Sequence, residues 1–73
     1  MKVVTWSERR GRFVLELPAS RALLIVERMA SGEWAWEYNA PTPRDDVRGR
    51  APTAEVGMTK AFNAAVRAGM VEA

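Results

Sequence analysis

Residues 33–39 read Glu-Trp-Ala-Trp-Glu-Tyr-Asn, so that Trp34, Trp36 and Tyr38 alternate with Ala35 and Glu37. A period of two marks an extended strand, whose successive side chains point to opposite sides. One side of this strand is therefore aromatic and needs a buried surface to face. Just upstream, Ser31-Gly32 carries turn chemistry, and residues 21–29 are rich in Leu, Ile and Val and flanked by Pro18 and Ser31-Gly32, which suits a buried strand. Two hairpin registers compete. A three-residue turn at Ala30-Ser31-Gly32, with Gly32 at positive φ, sets Arg28 opposite Trp34, Val26 opposite Trp36 and Leu24 opposite Tyr38. A two-residue turn at Ser31-Gly32 sets Glu27 opposite Trp36 and leaves a carboxylate among the aromatics. The first register gives a continuous apolar face and is the expected one.

The rest of the chain supplies more strands and one helix. Residues 2–6 are mainly β-branched and aromatic, residues 7–11 are polar and end in a glycine, and residues 12–17 alternate again, which predicts a first hairpin. Pro41, Pro43, Asp45 and Asp46 make residues 40–46 a loop. Residues 47–51 fit a short edge strand on which Arg48 and Arg50 discourage pairing with other edges. From 53 to 69 the periodicity changes to that of a helix, with Thr53 as N-cap, Glu55 at the positive dipole end and Gly69 as the stop. Its apolar arc, Ala54, Met58, Ala61, Phe62, Ala65 and Ala68 with Val66 at the edge, is mostly alanine, so the helix axis can approach a sheet closely. The expected fold is a single α+β domain over 1–73: an antiparallel sheet of four to five strands (2–6, 12–17, 21–29, 33–39 and the edge strand 47–51) packed on one C-terminal helix.

Composition then narrows the function. A chain of 73 residues buries only about 60% of its unfolded surface, and without cysteine it has no disulfide or thiolate zinc site to support that core. It also has no histidine, the commonest general base and nitrogen ligand. Ser7, Ser20 and Ser31 consequently lack an activating imidazole, and Lys2 and Lys60 lie in no cluster that would depress a pKa. Asp45-Asp46 offers two adjacent carboxylates and no spaced set of further cation ligands. Neither a catalytic residue nor a metal or cofactor is expected. The five glycines follow no phosphate-loop or dinucleotide pattern and read as turn and cap residues. The longest uncharged apolar run, residues 22–26, is far below the roughly 20 residues of a membrane span. No secretory leader pattern precedes it, and a cytoplasmic location is expected.

What remains is surface chemistry. Eleven basic residues against nine acidic give a net charge of +2, and nine of the eleven are arginine. Arg9, Arg10 and Arg12 gather at the first turn and Arg48 and Arg50 on the edge strand, although Glu8 and Asp45-Asp46 stand beside them and compensate part of their charge. Trp34, Trp36 and Tyr38 can be a base-stacking platform, yet with only six aromatics in the chain their expected place is the core. If the helix covers one face of the sheet, apolar residues among Val3, Trp6, Leu23 and Ile25 remain on the other, with Trp6 and Phe13 as surface aromatics.

The order Trp34-Ala-Trp-Glu-Tyr38, then Val47-Arg-Gly-Arg-Ala51, then the alanine-rich helix from Thr53 to Gly69 resembles a layout found in many short phage and mobile-element proteins, some anti-CRISPR proteins among them. It covers about half the chain. The resemblance implies a small protein that inhibits or assists another macromolecule stoichiometrically, and it assigns no site residues. Three readings follow. The first is a non-enzymatic binder of a protein partner through Arg9, Arg10, Arg12, Arg48 and Arg50. The second is a nucleic-acid module using the same arginines, resembling the three-strand-plus-helix domains of some integrases. The third is a homodimer joined through the uncovered sheet face.

Overall fold

A computed structural model of the protein describes residues 6–17 and 22–69. Its strands are β1 (Ser7–Arg9), β2 (Arg12–Leu17), β3 (Ala22–Arg28), β4 (Trp34–Asn39) and β5 (Val47–Ala51), followed by the helix α1 (Ala54–Arg67). The strands form one antiparallel sheet in the order β1-β2-β3-β4-β5, a plain meander. The α+β class, the edge strand at 47–51 and the single C-terminal helix are as the sequence predicts.

The central hairpin adopts the three-residue turn. Met29 donates to Glu33 O at 2.8 Å, Gly32 donates to Met29 O at 3.0 Å, and Gly32 has φ of 92°. The resulting register sets Leu24 opposite Tyr38, Val26 opposite Trp36 and Arg28 opposite Trp34. The helix also begins and ends at its predicted signals. Thr53 Oγ1 accepts from the Val56 amide at 3.2 Å, and Gly69 stands at φ of 77° just past the C-cap, Ala68.

The first hairpin differs. Its turn is the two-residue Arg10-Gly11 rather than the whole polar segment 7–11, and Ser7, Glu8 and Arg9 pair with Val14, Phe13 and Arg12. Both turn residues have positive φ, 54° and 76°. That is the turn geometry whose twist matches a hairpin, and the Gly11 amide is held by Glu8 Oε2 at 3.2 Å. Polar composition had pointed to a loop. Backbone pairing on a strand with no buried side chain overrides it. The strand expected at 2–6 lies outside the described residues except for Trp6, which has no strand pairing and packs against the core.

The helix crosses β3, β4 and β5 on the face that carries Leu24, Val26, Trp36 and Ala51. Leu15, Leu17, Ala22, Leu24 and Tyr38 of the sheet form the core with Ala61 and Ala65 of the helix. The three aromatics of β4 belong to this covered face, and Phe13 lies there too, its ring centroid 6.0 Å from that of Trp34. Phe13 and Trp6, expected as surface aromatics, are half-buried, Phe13 on the covered face and Trp6 against the core.

Close approach is set by a stripe of small residues. Gly57, Ala61 and Ala65, four apart, are the buried residues of α1, while Met58 and Phe62 flank them half-buried and Ala68 is exposed. A Cβ on Gly57 would lie 3.0 Å from Val26 Cγ1. Gly49 is tighter still: a Cβ there would lie 2.7 Å from the Trp36 ring, so the indole rests directly over the β5 backbone. These two glycines are contact positions and not turn or cap residues.

Candidate binding face

Because side chains alternate along each strand, the register that buries one face also fixes the composition of the other. Ser7 and Arg9 of β1, Arg12, Val14 and Glu16 of β2, and Leu23, Ile25 and Glu27 of β3 point away from α1. So do Ala35, Glu37 and Asn39 of β4 and Arg48 and Arg50 of β5. No described element packs against this face.

Four of the five arginines singled out from sequence are thus brought onto a single surface. Arg9 and Arg12 are directly opposite each other at one edge, Arg48 and Arg50 line the other edge, and the two columns are roughly 15–20 Å apart at the usual strand spacing. Arg10 does not join them, since it occupies the hairpin tip. Between the columns run the half-buried Val14, Leu23, Ile25 and Ala35. Leu23 and Ile25 were expected there, whereas Val14 and Ala35 were not. The alternation of residues 12–17 carried the signal for Val14, and the β4 alternation carried it for Ala35.

Carboxylates are interleaved with the arginines. Arg12 Nε lies 3.7 Å from Glu27, Arg48 Nη2 3.2 Å from Glu37 and Arg50 Nη1 3.9 Å from Glu33. These pairs lie at the surface, with only Glu37 half-buried, and each adds at most about 1 kcal/mol to stability. Arg9 and Arg10 have no ion-pair partner among the described residues. A shallow groove of about 310 Å³ runs over the β3–β5 half, lined by Ile25, Met29 and Ala35 with Glu27, Glu37 and Arg48 around them.

No family model, curated protein or solved structure matches this chain. The face is therefore judged on its own chemistry.

That chemistry is an apolar strip flanked by arginines and glutamates. Among the described residues no set of three or more His, Cys, Asp or Glu could hold a metal ion, and no helix is long and apolar enough to cross a membrane. Asp46 plays a structural part, since its Oδ1 accepts from the Ala40 amide at 2.8 Å and braces the loop after β4. Asp45 lies in the 3-10 turn Pro43–Asp45, its amide donating to Thr42 O at 2.9 Å. Among the described residues the group with a displaced titration is Tyr38, whose pKa is raised by burial first and then by the negative charges of Asp45 and Asp46. It sits under the helix, away from the open face.

Proposed function

We propose that this chain is a non-enzymatic binding protein that acts stoichiometrically on a protein partner through the open face of its sheet. The observation that supports this reading is the shared placement of Arg9, Arg12, Arg48 and Arg50 around the apolar strip of Val14, Leu23, Ile25 and Ala35. An apolar centre with arginine anchors at its rim is the composition of a protein contact. The likeness to short phage and mobile-element proteins adds a biological class, an inhibitor or accessory protein of the kind that some anti-CRISPR proteins represent.

The interleaved Glu16, Glu27 and Glu37 favour a protein over a nucleic acid, because they repel a phosphate backbone laid across the same surface.

Capture from the lysate of a host cell tests the proposal with three baits: wild type, I25E on the open face, and V56E on the exposed side of the helix. Wild type and V56E should recover the same protein at one-to-one stoichiometry, and I25E should recover none of it. Equal recovery by all three removes the open face from the contact. Duplex DNA that binds wild type with a steep salt dependence would reverse the order of the readings.

A further inference from the structure

The outer edge of β5 is the longest unpaired strand edge among the described residues, since Val47–Ala51 pairs with β4 on one side only and the opposite edge of the sheet, β1, has three residues. Such an edge presents a row of backbone donors and acceptors that can template another strand. Arg48 and Arg50 stand two apart on the open-face side of this strand, with side chains 75% and 68% exposed. Each engages a carboxylate through one nitrogen of a guanidinium that carries five donors, which leaves donors for a second carboxylate.

A second copy of the chain does not suit this edge. Antiparallel two-fold pairing centred on Gly49 sets Arg48 of each copy opposite Arg50 of the other. Moving the centre to either neighbour sets Arg48 on Arg48 or Arg50 on Arg50. Like charges directly opposite destabilise a pairing. An incoming strand with carboxylates at alternate positions meets both arginines favourably. Its intervening residues face the helix side, where Val47 is 43% exposed and apolar. We propose that the β5 edge takes up an acidic, extended protein segment by strand addition, with Glu or Asp opposite Arg48 and Arg50 and small apolar residues between them.

This inference rests on the reading of the chain as a binding protein, and its test can fail separately. R48E/R50E turns the same edge into an acidic strand on an otherwise identical molecule, so the full chain supplies its own probe. Wild type alone and R48E/R50E alone should sediment as monomers, while an equimolar mixture should form a heterodimer that dissociates as salt is raised and protects the amides of Val47–Ala51 from exchange. The mixed association should exceed either self-association by on the order of ten- to a hundredfold. A mixture that stays monomeric, or wild type that self-associates as tightly as the mixture, overturns the proposal.

Should circular dichroism show that R48E/R50E has lost its fold, a blocked peptide of alternating Glu and Val replaces it as the probe of wild type. Exchange protection at residues 47–51 by this peptide, and none by its lysine counterpart, supports strand addition; an equal response, or none, removes it. Capture that depends on Ile25 without heterodimer formation leaves the binding reading standing and removes only strand addition, whereas heterodimer formation with capture that ignores Ile25 leaves strand addition standing and removes the open face from the contact.

Discussion

Leu24 and Ile25 are chain neighbours of similar size, yet Leu24 lies against α1 with no exposed surface while Ile25 stands half-buried between Val14 and Glu37 on the other side. That contrast runs through the whole sheet. The covered face is mainly apolar and shaped by glycine and alanine, and among the described residues no polar or charged one is buried. The open face alternates arginine with glutamate around a thin apolar strip. A strand period of two lets one stretch of chain serve both faces: odd or even positions decide whether a substitution is felt in the packed core or on the open surface proposed for recognition.

The strongest way to break this contrast is to truncate the two neighbours. Leu24→Ala removes a fully buried side chain and should cost about 2–5 kcal/mol, a large share of the stability of any small domain. Ile25→Ala should cost about 1 kcal/mol, because much of its surface already meets water. Urea denaturation reads both. Equal losses would mean that the open face is covered in solution, and the assignment of roles would fall.

Next in size is Gly49→Ala, which drives a methyl group into the Trp36 indole and should cost about 1–3 kcal/mol. Gly57→Ala sharpens the comparison. Its methyl would lie 3.0 Å from Val26 Cγ1, closer than ordinary contact, so that Val26 must give way slightly, while the helix gains about 1 kcal/mol from replacing glycine. The two effects should nearly cancel, so thermal melting should separate the two glycines clearly.

Those glycines also mark where the sequence stopped being legible. The β4 alternation and the Ser31-Gly32 turn determined the central register, and Thr53 and Gly69 bounded the helix, because each is a local signal with a local cause. Whether Gly49 supplies flexibility or room depends on where the Trp36 ring lies, which is a tertiary fact. The turn at Arg10-Gly11 was hidden for a related reason: Ser7, Glu8 and Arg9 bury no side chain in their strand, so no hydrophobic pattern announces it. Of the candidate site, the residue types were legible and their common face was not. Arg9 and Arg12 reach that face only through the register of this short hairpin.

Thr53→Ala tests a feature that belongs to neither face. It removes the hydroxyl that accepts from the Val56 amide and should cost about 1 kcal/mol. Tyr38→Phe should be milder. The Tyr38 hydroxyl is buried without a hydrogen-bond partner, so its removal should leave stability at neutral pH unchanged or slightly raised. Its effect belongs to alkaline solution. Because the folded pKa lies above the ordinary 10.0, the unfolded chain loses this proton first. Stability is therefore unaffected below about pH 10 and falls as pH rises from there toward the folded value. Denaturation followed across that range should show a shallower decline for Tyr38→Phe than for wild type.

A small change in stability is also expected on the open face. Arg12 and Glu27 approach to 3.7 Å with side chains 53% and 60% exposed, a geometry in which Coulomb attraction is weakened by water and offset by the entropy of fixing two long side chains. Arg12→Ala also removes a like-charged neighbour of Arg9 across the hairpin, which returns part of what the broken pair costs. The melting temperature should move by no more than corresponds to about 0.5 kcal/mol, in low salt or high. Capture of the partner should nonetheless weaken, because that arginine lies on the rim of the proposed contact. If Arg12→Ala instead lowered stability by as much as Thr53→Ala while leaving capture intact, the arginines of this face would be structural, and the division of the sheet into a packed side and a recognising side would fail at its recognising half.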